Sequence, residues 1–188
     1  IFNFEPGNPY TIPDSIINRL ICDHSGILWI ATENGICQYK KLLPITSANS
    51  LFINQKLGTD RKITLAAEDR DGLLWLATGK ALYKFDKQKK SLKAATFLGD
   101  IYLKNYRQTF HIYSRMIDDG NGYIWISSLK YLIKFNKKNR SHAKYDISRI
   151  VSIHQDREQN LWFGSLDRGL VFHDIKKRKF KYYSKYNS

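Results

Sequence analysis

Four aspartates are the residues whose type and spacing could support chemistry. Each stands six residues before a tryptophan and directly before a turn: Asp23, Asp69, Asp119 and Asp156. Carboxylates can act as general acids and bases or ligate a metal. An Asp in front of a turn instead accepts hydrogen bonds from nearby backbone N–H groups. We therefore predict a structural role for all four, and Asp69-Arg70-Asp71-Gly72 lacks the further oxygen ligands and the closing Glu of a calcium loop.

The other reactive side chains form no catalytic or metal-binding motif. The five histidines show no metal-ligand spacing such as His-x-x-x-His, and the repeats bring no Ser–His–Asp group together. No glycine-rich phosphate loop follows a strand and opens a helix. We predict no catalytic residue, no metal site and no cofactor in these 188 residues.

The chain has two cysteines, Cys22 and Cys37. They fall on the first and third strands of one predicted blade, which places them about 9–10 Å apart. A disulfide requires Cα atoms within about 7 Å. We predict two free, mostly buried thiols.

The spacing of the four tryptophans indicates the fold that holds these side chains. Trp29, Trp75, Trp125 and Trp162 lie 37 to 50 residues apart, which is the period of β-propeller blades. Short apolar stretches at this spacing, without helical periodicity, predict an all-β chain. The predicted fold is a β-propeller segment of four consecutive four-stranded blades with a stray outer strand at the N-terminus, Ile1–Phe4.

The predicted organisation is one partial propeller over residues 1–188. The blade repeats span about 14–56, 57–104, 105–146 and 147–188. Residues 1–13 form an outer strand and a linker from a preceding blade. Four blades stand at the small end of the propeller range, so we expect a longer natural protein.

The predicted strands occur in a fixed order within each repeat. The first strands are Ile17–Cys22, Thr64–Glu68, Ile112–Ile117 and Arg149–His154. The third strand ends at an aromatic residue, and the four are Tyr39, Phe85, Phe135 and Phe172. Two outer strands are predicted at Ser91–Thr96 and Lys179–Tyr183. The turn after the Asp requires a positive φ, supplied by Gly in three repeats and by Asn160 in the fourth.

The tryptophans could form either a sugar-stacking platform or the packing between blades. A small residue follows each Trp two places later, and the four are Ala31, Ala77, Ser127 and Gly164. Small side chains at that place allow neighbouring blades to approach closely. We predict that the tryptophans pack between blades.

The repeated motif resembles a known family. The pattern Asp-x-x-Gly-x-[Leu/Ile]-Trp-[Ile/Leu]-[Ala/Gly/Ser]-[Thr/Ser], followed by Gly-[Leu/Ile]-x-x-[Tyr/Phe], resembles the two-component-regulator propeller repeat. The segment Asn8–Asn18 resembles that family's linker between blades. The chain departs from the pattern at Ala81, Tyr131 and Gln159, which indicates altered turns.

The resemblance implies a cellular setting and a role. Such repeats build the periplasmic half of hybrid two-component sensor histidine kinases in Bacteroidetes-type bacteria, and many members sense oligosaccharides. It implies an extracytoplasmic part of an inner-membrane protein. It also implies a non-catalytic segment whose partners are the remaining blades and a kinase outside this chain.

The charge is strongly positive. Lys and Arg number 31 and Asp and Glu 17, for a formal net charge of +14. Basic clusters recur between the third and fourth strands of every repeat: Lys40-Lys41, Lys87/Lys89/Lys90, Lys137/Lys138/Arg140 and Lys176/Lys177/Arg178. One face could therefore bind an acidic glycan, a membrane surface or an acidic partner. We favour the simpler interpretation that lysines keep the turns polar and protect an exposed edge strand.

The opposite face carries the loops between second and third strands and between blades. Tyr, Arg, Lys and Asn side chains there would suit a sugar or an anion. The predicted ligand-binding residues are Asn34, Lys80, Tyr106, Arg107, Lys130 and Arg168.

Several functions are compatible with these patterns. The first hypothesis is an extracytoplasmic ligand-sensing segment that responds to an oligosaccharide, which the basic charge allows to be acidic. The alternative is a structural propeller segment that mediates dimerisation without a ligand. A propeller enzyme with catalytic groups outside this chain is a third hypothesis. Nucleic-acid binding is favoured by the charge alone, and we do not expect it. We expect self-association through unpaired blade faces.

Overall fold

The computed structural model describes residues 5, 11–39, 57, 62–79, 81–97, 115–128 and 130–184, without the side chains of 96 and 97. The chain divides into two compact units, residues 1–108 and 109–188. Each described strand alternates side chains between two faces of its sheet.

The first unit contains two antiparallel sheets. The first sheet has the order β1-β2-β3 and the second the order β4-β5-β6-β7. Their strands are β1 Ile17–Cys22, β2 Leu28–Thr32, β3 Gly35–Tyr39, β4 Ile63–Glu68, β5 Leu74–Thr78, β6 Ala81–Asp86 and β7 Ser91–Phe97.

The second unit repeats this arrangement. The third sheet contains β8 to β11 and the fourth contains β12 to β15, again in chain order. Their strands are β8 Met116–Asp118, β9 Tyr123–Ser127, β10 Leu132–Asn136, β11 His142–Tyr145, β12 Ile150–Gln155, β13 Leu161–Ser165, β14 Gly169–Asp174 and β15 Lys179–Tyr183.

These sheets confirm the all-β propeller segment of four consecutive blades. Strands Ile17–Cys22 and Lys179–Tyr183 have the predicted bounds, and the other predicted strands that can be compared differ by one residue. For the predicted strand Ile112–Ile117, the structure describes only the part from Met116, where β8 begins. The predicted outer strand Ile1–Phe4 and a fourth strand for the first sheet lie outside the described residues. The repeat boundaries stay predictions.

Tryptophans form the contacts between sheets within each unit. In the first unit, Trp29 and Ile36 pack against Ile63, Leu74 and Phe85 of the second sheet. The rings of Trp29 and Phe85 meet edge to face with centroids 5.9 Å apart. A buried aromatic pair of this kind contributes strongly to a core. The prediction that the tryptophans pack between blades is confirmed here.

The second unit has the same kind of core. Trp125 and Leu132 of the third sheet pack with Ile150, Leu161 and Phe163 of the fourth. Trp162 departs from this pattern because it is only partly buried, although it occupies the same position in its sheet.

The end of the third strand in the fourth sheet differs from the prediction. Trp75 pairs with Lys84 across the sheet, and Trp162 pairs with Phe172. His173, not Phe172, therefore occupies the position of Phe85. The shift arises because the β13–β14 turn contains one more residue than the β5–β6 turn.

The turns after the four aspartates require a positive φ. Gly26, Gly72 and Gly122 supply it at 74°, 76° and 91°, as predicted. In the fourth repeat Gln159 adopts φ 70°, so the prediction of Asn160 at this position is wrong by one residue. A side chain in this conformation costs about 1 kcal/mol that glycine does not pay.

Replacing Gln159 with glycine is expected to raise the free energy of unfolding by about 1 kcal/mol, because it relieves this left-handed strain. Urea unfolding measures the change. Glu158→Gly is the matched control in the same turn. It has no such strain to relieve and should be neutral or destabilising. Equal effects from both substitutions would contradict the argument.

Candidate functional site

The four repeated aspartates hold their turns together. In Asp119, Oδ1 accepts the backbone N–H groups of Asn121 and Tyr123 at 2.8 and 3.1 Å, and Oδ2 accepts the Trp125 indole N–H at 3.0 Å. The same three contacts recur in the other repeats. The predicted turn-capping role is confirmed. The bond to the indole was not foreseen, although the constant six-residue spacing between Asp and Trp was its signal.

Lys87 joins the turns of the first and second sheets through two carboxylates. Its Nζ donates to Asp23 Oδ2 at 2.7 Å and to a carboxylate oxygen of Glu68. The Lys87 side chain is 15% exposed and Asp23 is 0% exposed. Glu68 also accepts the backbone N–H of His24 at 2.8 Å and lies 2.7 Å from His24 Nδ1. The sequence placed Lys87 in a basic surface cluster, but the structure pairs it internally.

The local electrostatics keep this group charged. Burial acts to raise the pKa of Asp23, but hydrogen bonds from Lys87 and the Trp29 indole outweigh it and hold that pKa below its usual value. The same balance lowers the pKa of Glu68, through Lys87 and His24. For Lys87, burial acts to lower the pKa, and the two carboxylates raise it above its usual value. The three groups therefore remain ionised at neutral pH.

A cavity of about 430 Å³ opens beside this group. Both sheets line it, and its exposed polar side chains include His24, Asp71 and Gln88. Its described lining residues include five carboxylates and three basic side chains, and these are Asp23, Glu68, Asp69, Asp71, Asp86, His24, Arg70 and Lys87. This cleft is therefore an acidic site on a basic protein, which suits hydroxyl and amino groups better than anions.

Gly72 allows the two turns to approach each other in the cleft. A Cβ at this position would lie 2.9 Å from His24 Cε1, and its φ of +76° is also unfavourable for other residues. The positive φ is what favours glycine here, since the contacted end of the exposed His24 side chain can shift.

The three predicted ligand-binding residues that the structure describes do not line this cleft. Asn34, Lys130 and Arg168 are exposed, each in or next to the turn between the second and third strands of its own sheet. Asn34 Nδ2 donates to the Pro13 carbonyl at 3.4 Å, and Lys130 Nζ lies 5.6 Å from the Tyr131 ring centroid. Lys80, Tyr106 and Arg107 lie outside the described residues. A ligand-binding role for these six stays a prediction.

The basic turns are not uniformly free charges. Lys137 Nζ donates to Asp118 Oδ2 at 3.0 Å, and the two side chains are 17% and 3% exposed. Lys89 and Lys177 lie 3.9 Å from the carboxylates of Asp86 and Asp174 but remain largely exposed. Lys40 and Lys41 lie outside the described residues.

Both cysteines are free, but only one is buried. Burial raises the pKa of Cys37 to about 12, so its thiol is not nucleophilic at neutral pH. Cys22 is exposed, so the prediction of two mostly buried thiols is wrong for it. It directly precedes Asp23, at the sheet edge where Glu68 occupies the equivalent place in the second repeat.

The described ranges contain neither a metal-binding cluster nor a membrane-spanning helix. No three His, Cys, Asp or Glu side chains there gather closely enough to hold a metal ion. No helix in those ranges has the length and apolar character to cross a membrane.

Comparison with known families supports the family resemblance of the repeated motif. Residues 11–34 match the family model described as two component regulator propeller. This match confirms the resemblance inferred from the repeats. No curated protein matches the chain.

Solved structures share the fold at low sequence identity. The extracellular domain of a B. thetaiotaomicron protein described as a hybrid two component system is 19% identical, with a TM-score of 0.73, over 100% of this chain and 24% of that one. A second such domain from that organism is 20% identical, with a TM-score of 0.61, over 85% and 20%. The chain thus spans about a quarter or less of these domains.

An enzyme also shares this architecture. Catalytically inactive virginiamycin B lyase from Staphylococcus aureus, solved with quinupristin, is 10% identical, with a TM-score of 0.64, over 95% of this chain and 59% of that one. Function must therefore be argued from sites on the fold.

Proposed function

We propose that this chain is the extracytoplasmic ligand-sensing part of a two-component sensor that responds to an oligosaccharide and signals to a kinase outside these 188 residues. The observation that carries the proposal is the match of residues 11–34 to the two component regulator propeller family. Structural similarity to extracellular domains of hybrid two component systems supports it.

The cleft between the first two sheets is our proposed ligand site. A sugar presents many hydroxyl groups, and carboxylate, imidazole and amide side chains are matched donors and acceptors for them. Because side chains of both sheets line the cleft, a bound sugar would change how two blades pack. Such a change in packing is what a sensor could transmit.

The chemistry of the cleft favours a neutral oligosaccharide. Five bordering carboxylates outnumber the basic side chains, exposed Arg70 included, and repel an anionic sugar. Lys87 is already paired with Asp23 and Glu68. An acidic sugar would instead be attracted to the exposed basic turn of the fourth sheet, Lys176 to Arg178.

An array of neutral and acidic oligosaccharides, probed at low and high salt, tests the proposal. We expect neutral binding that persists at high salt, because hydrogen bonds rather than exposed charge pairs would hold the sugar. The variant carrying His24→Ala and Asp71→Ala should bind about tenfold more weakly, since bonds to charged groups are lost.

Arg168→Ala is the matched control, since it removes an exposed charge in a turn that does not line the cleft. If it abolishes binding and the cleft variant does not, the cleft assignment is wrong and the face predicted from sequence is right. Binding of acidic sugars alone, lost at high salt, would also exclude the cleft. Absence of binding to every oligosaccharide would overturn oligosaccharide sensing.

A further inference from the structure

The repeats contain a consistent rule for how one sheet covers the next. We call the side of a sheet that carries its tryptophan the Trp face. The other side is the Ile face, because the isoleucine that begins the first strand of the first, second and fourth sheets lies on it. In the first unit, Trp29 and Ile36 of one Trp face are 1% and 0% exposed, and Ile63 of the Ile face packed on them is 0% exposed. The second unit shows the same closure for Trp125, Leu132 and Ile150.

The Trp face of the fourth sheet lacks this cover. Leu170 occupies the position of Leu132, yet it is 42% exposed, whereas Leu132 is 0% exposed. Tyr183 beside it is 51% exposed. Trp162 packs sideways on Phe172 and Tyr183 of its own sheet, at 4.5 and 6.4 Å between ring centroids.

The Ile face of the first sheet is the matching half. Ile17 occupies the position of Ile63 and Ile150 but is 49% exposed, whereas they are 0% and 1% exposed. Leu20 is 60% exposed, although its counterpart Ile153 packs against a core. Ile30 and Cys37 on the same face are buried because Ile12 packs against them. The uncovered part of this Ile face is therefore the edge formed by Ile17 and Leu20.

An interblade ion pair within the chain sharpens this match. Glu33 lies four residues after its Trp, and its carboxylate pairs at 2.8 Å with Lys62, which lies seven residues before its Asp. The equivalent positions on the two uncovered faces hold Leu166 and Ile16, both 57% exposed. Both positions are apolar on these two faces, so the two side chains are compatible with a contact between them.

Most of the exposed apolar side chains lie on or beside these two faces; Tyr182 lies on the other side of the fourth sheet. All the large hydrophobic residues found exposed in the described ranges belong to the first or the fourth sheet or their adjoining turns: Ile16, Ile17, Leu20, Leu166, Leu170, Tyr182 and Tyr183. Apolar residues clustered in this way mark an interaction surface rather than scattered exposure.

We propose that the Trp face of the fourth sheet binds the Ile face of the first sheet in a second copy of this chain. The contact uses the exposed edge of that Ile face, Ile17 and Leu20, where the units within the chain use Ile63 and Ile150. It is heterologous, because different surfaces of the two copies meet. It does not depend on the proposed ligand.

Sedimentation velocity over a range of protein concentrations tests the contact in the full 188-residue chain. We expect the wild type to associate, and Leu170→Glu and Ile17→Glu each to weaken association roughly 10- to 100-fold, since each places a charge in an apolar contact. Tyr182→Glu is the matched control, because Tyr182 lies on the same strand as Tyr183 but points to the other side of the sheet. It should associate like the wild type.

A mixing experiment distinguishes this contact from a symmetric one. An equimolar mixture of the Leu170→Glu and Ile17→Glu chains should form a 1:1 dimer that does not grow, because each retains the face that the other has lost. If Leu170→Glu abolishes association, Ile17→Glu leaves it intact and mixing restores nothing, two fourth sheets meet and the proposal is wrong. A wild type that stays monomeric at high concentration would also overturn it.

A second test places an opposite-charge pair at the contact, and its result is a recovery of association rather than only a loss. Leu166→Glu alone and Ile16→Lys alone should each weaken association. Their mixture should recover it in a salt-sensitive manner, because it reproduces the Glu33–Lys62 pair between copies. No recovery in the mixture would show that these two positions do not meet.

Discussion

Replacing Asp119 with alanine is expected to lower the free energy of unfolding by about 3–4 kcal/mol. The side chain is 0% exposed and is the acceptor for three N–H groups, those of Asn121, Tyr123 and the Trp125 indole. Alanine leaves these donors without their partner, and the indole is itself 0% exposed. Unfolding in urea, followed by tryptophan fluorescence, measures the loss.

Two further variants separate the parts of this effect. Asp119→Asn retains an oxygen for the turn but places an NH₂ group near the indole N–H, so it should cost less than alanine but still be destabilising. Asp156→Ala removes the same three bonds beside the partly exposed Trp162, together with a 3.3 Å bond from Asn160 Nδ2. It should cost less than Asp119→Ala, because water can replace the lost acceptor there. Equal losses at Asp119 and Asp156 would contradict the role of burial.

These aspartates illustrate what the sequence could predict. Their place before a turn indicated capping, and the tryptophan period indicated blades, because both follow from local geometry that every repeat must satisfy. The strand Ile17–Cys22 was predictable for the same reason. The proposed cleft, by contrast, was not predicted, because it forms where the turns of two sheets come together.

The errors come from features that local patterns do not contain. Lys87 lies in the same turn as the exposed Lys89 and Lys90, so the sequence does not distinguish it from them. Only the packing of the second sheet on the first brings Lys87 to Asp23. Cys22 reads as an interior strand residue, but it lies at the strand end beside the turn. A one-residue insertion in the β13–β14 turn moved His173 to a core position that the motif assigned to Phe172.

The second large effect on stability is predicted at His173. His173 is 2% exposed and lies with its ring centroid 4.9 Å from that of Trp125 and 4.6 Å from that of Phe180. Among the described residues, its Nδ1 has no hydrogen-bond partner. Phe85 and Phe135 occupy the equivalent position in the second and third sheets. His173 is therefore a polar group at an apolar site.

The pKa of His173 makes stability depend on pH. Burial, and then the positive charge of Lys134, lower this pKa from 6.5 to about 4. Between these values the unfolded chain binds a proton that the folded chain excludes, so the unfolded state gains stability as the pH falls. The stability that neutral His173 contributes is fully present above pH 6.5. It is lost as the pH falls to 4, which lowers the free energy of unfolding by about 3 kcal/mol.

Replacing His173 with phenylalanine should therefore stabilise the protein by about 1 kcal/mol at pH 7, since an unpaired buried nitrogen is removed. The advantage over the wild type should grow to about 4 kcal/mol at pH 4, because phenylalanine does not titrate. Chemical unfolding at intervals from pH 7 to 4 measures both. His154→Asn, at an exposed position in the same sheet, should leave the wild-type slope nearly unchanged. If the curves of His173→Phe and the wild type stay parallel across this range, the histidine is already protonated or solvated in the folded state, and burial does not exclude its charge.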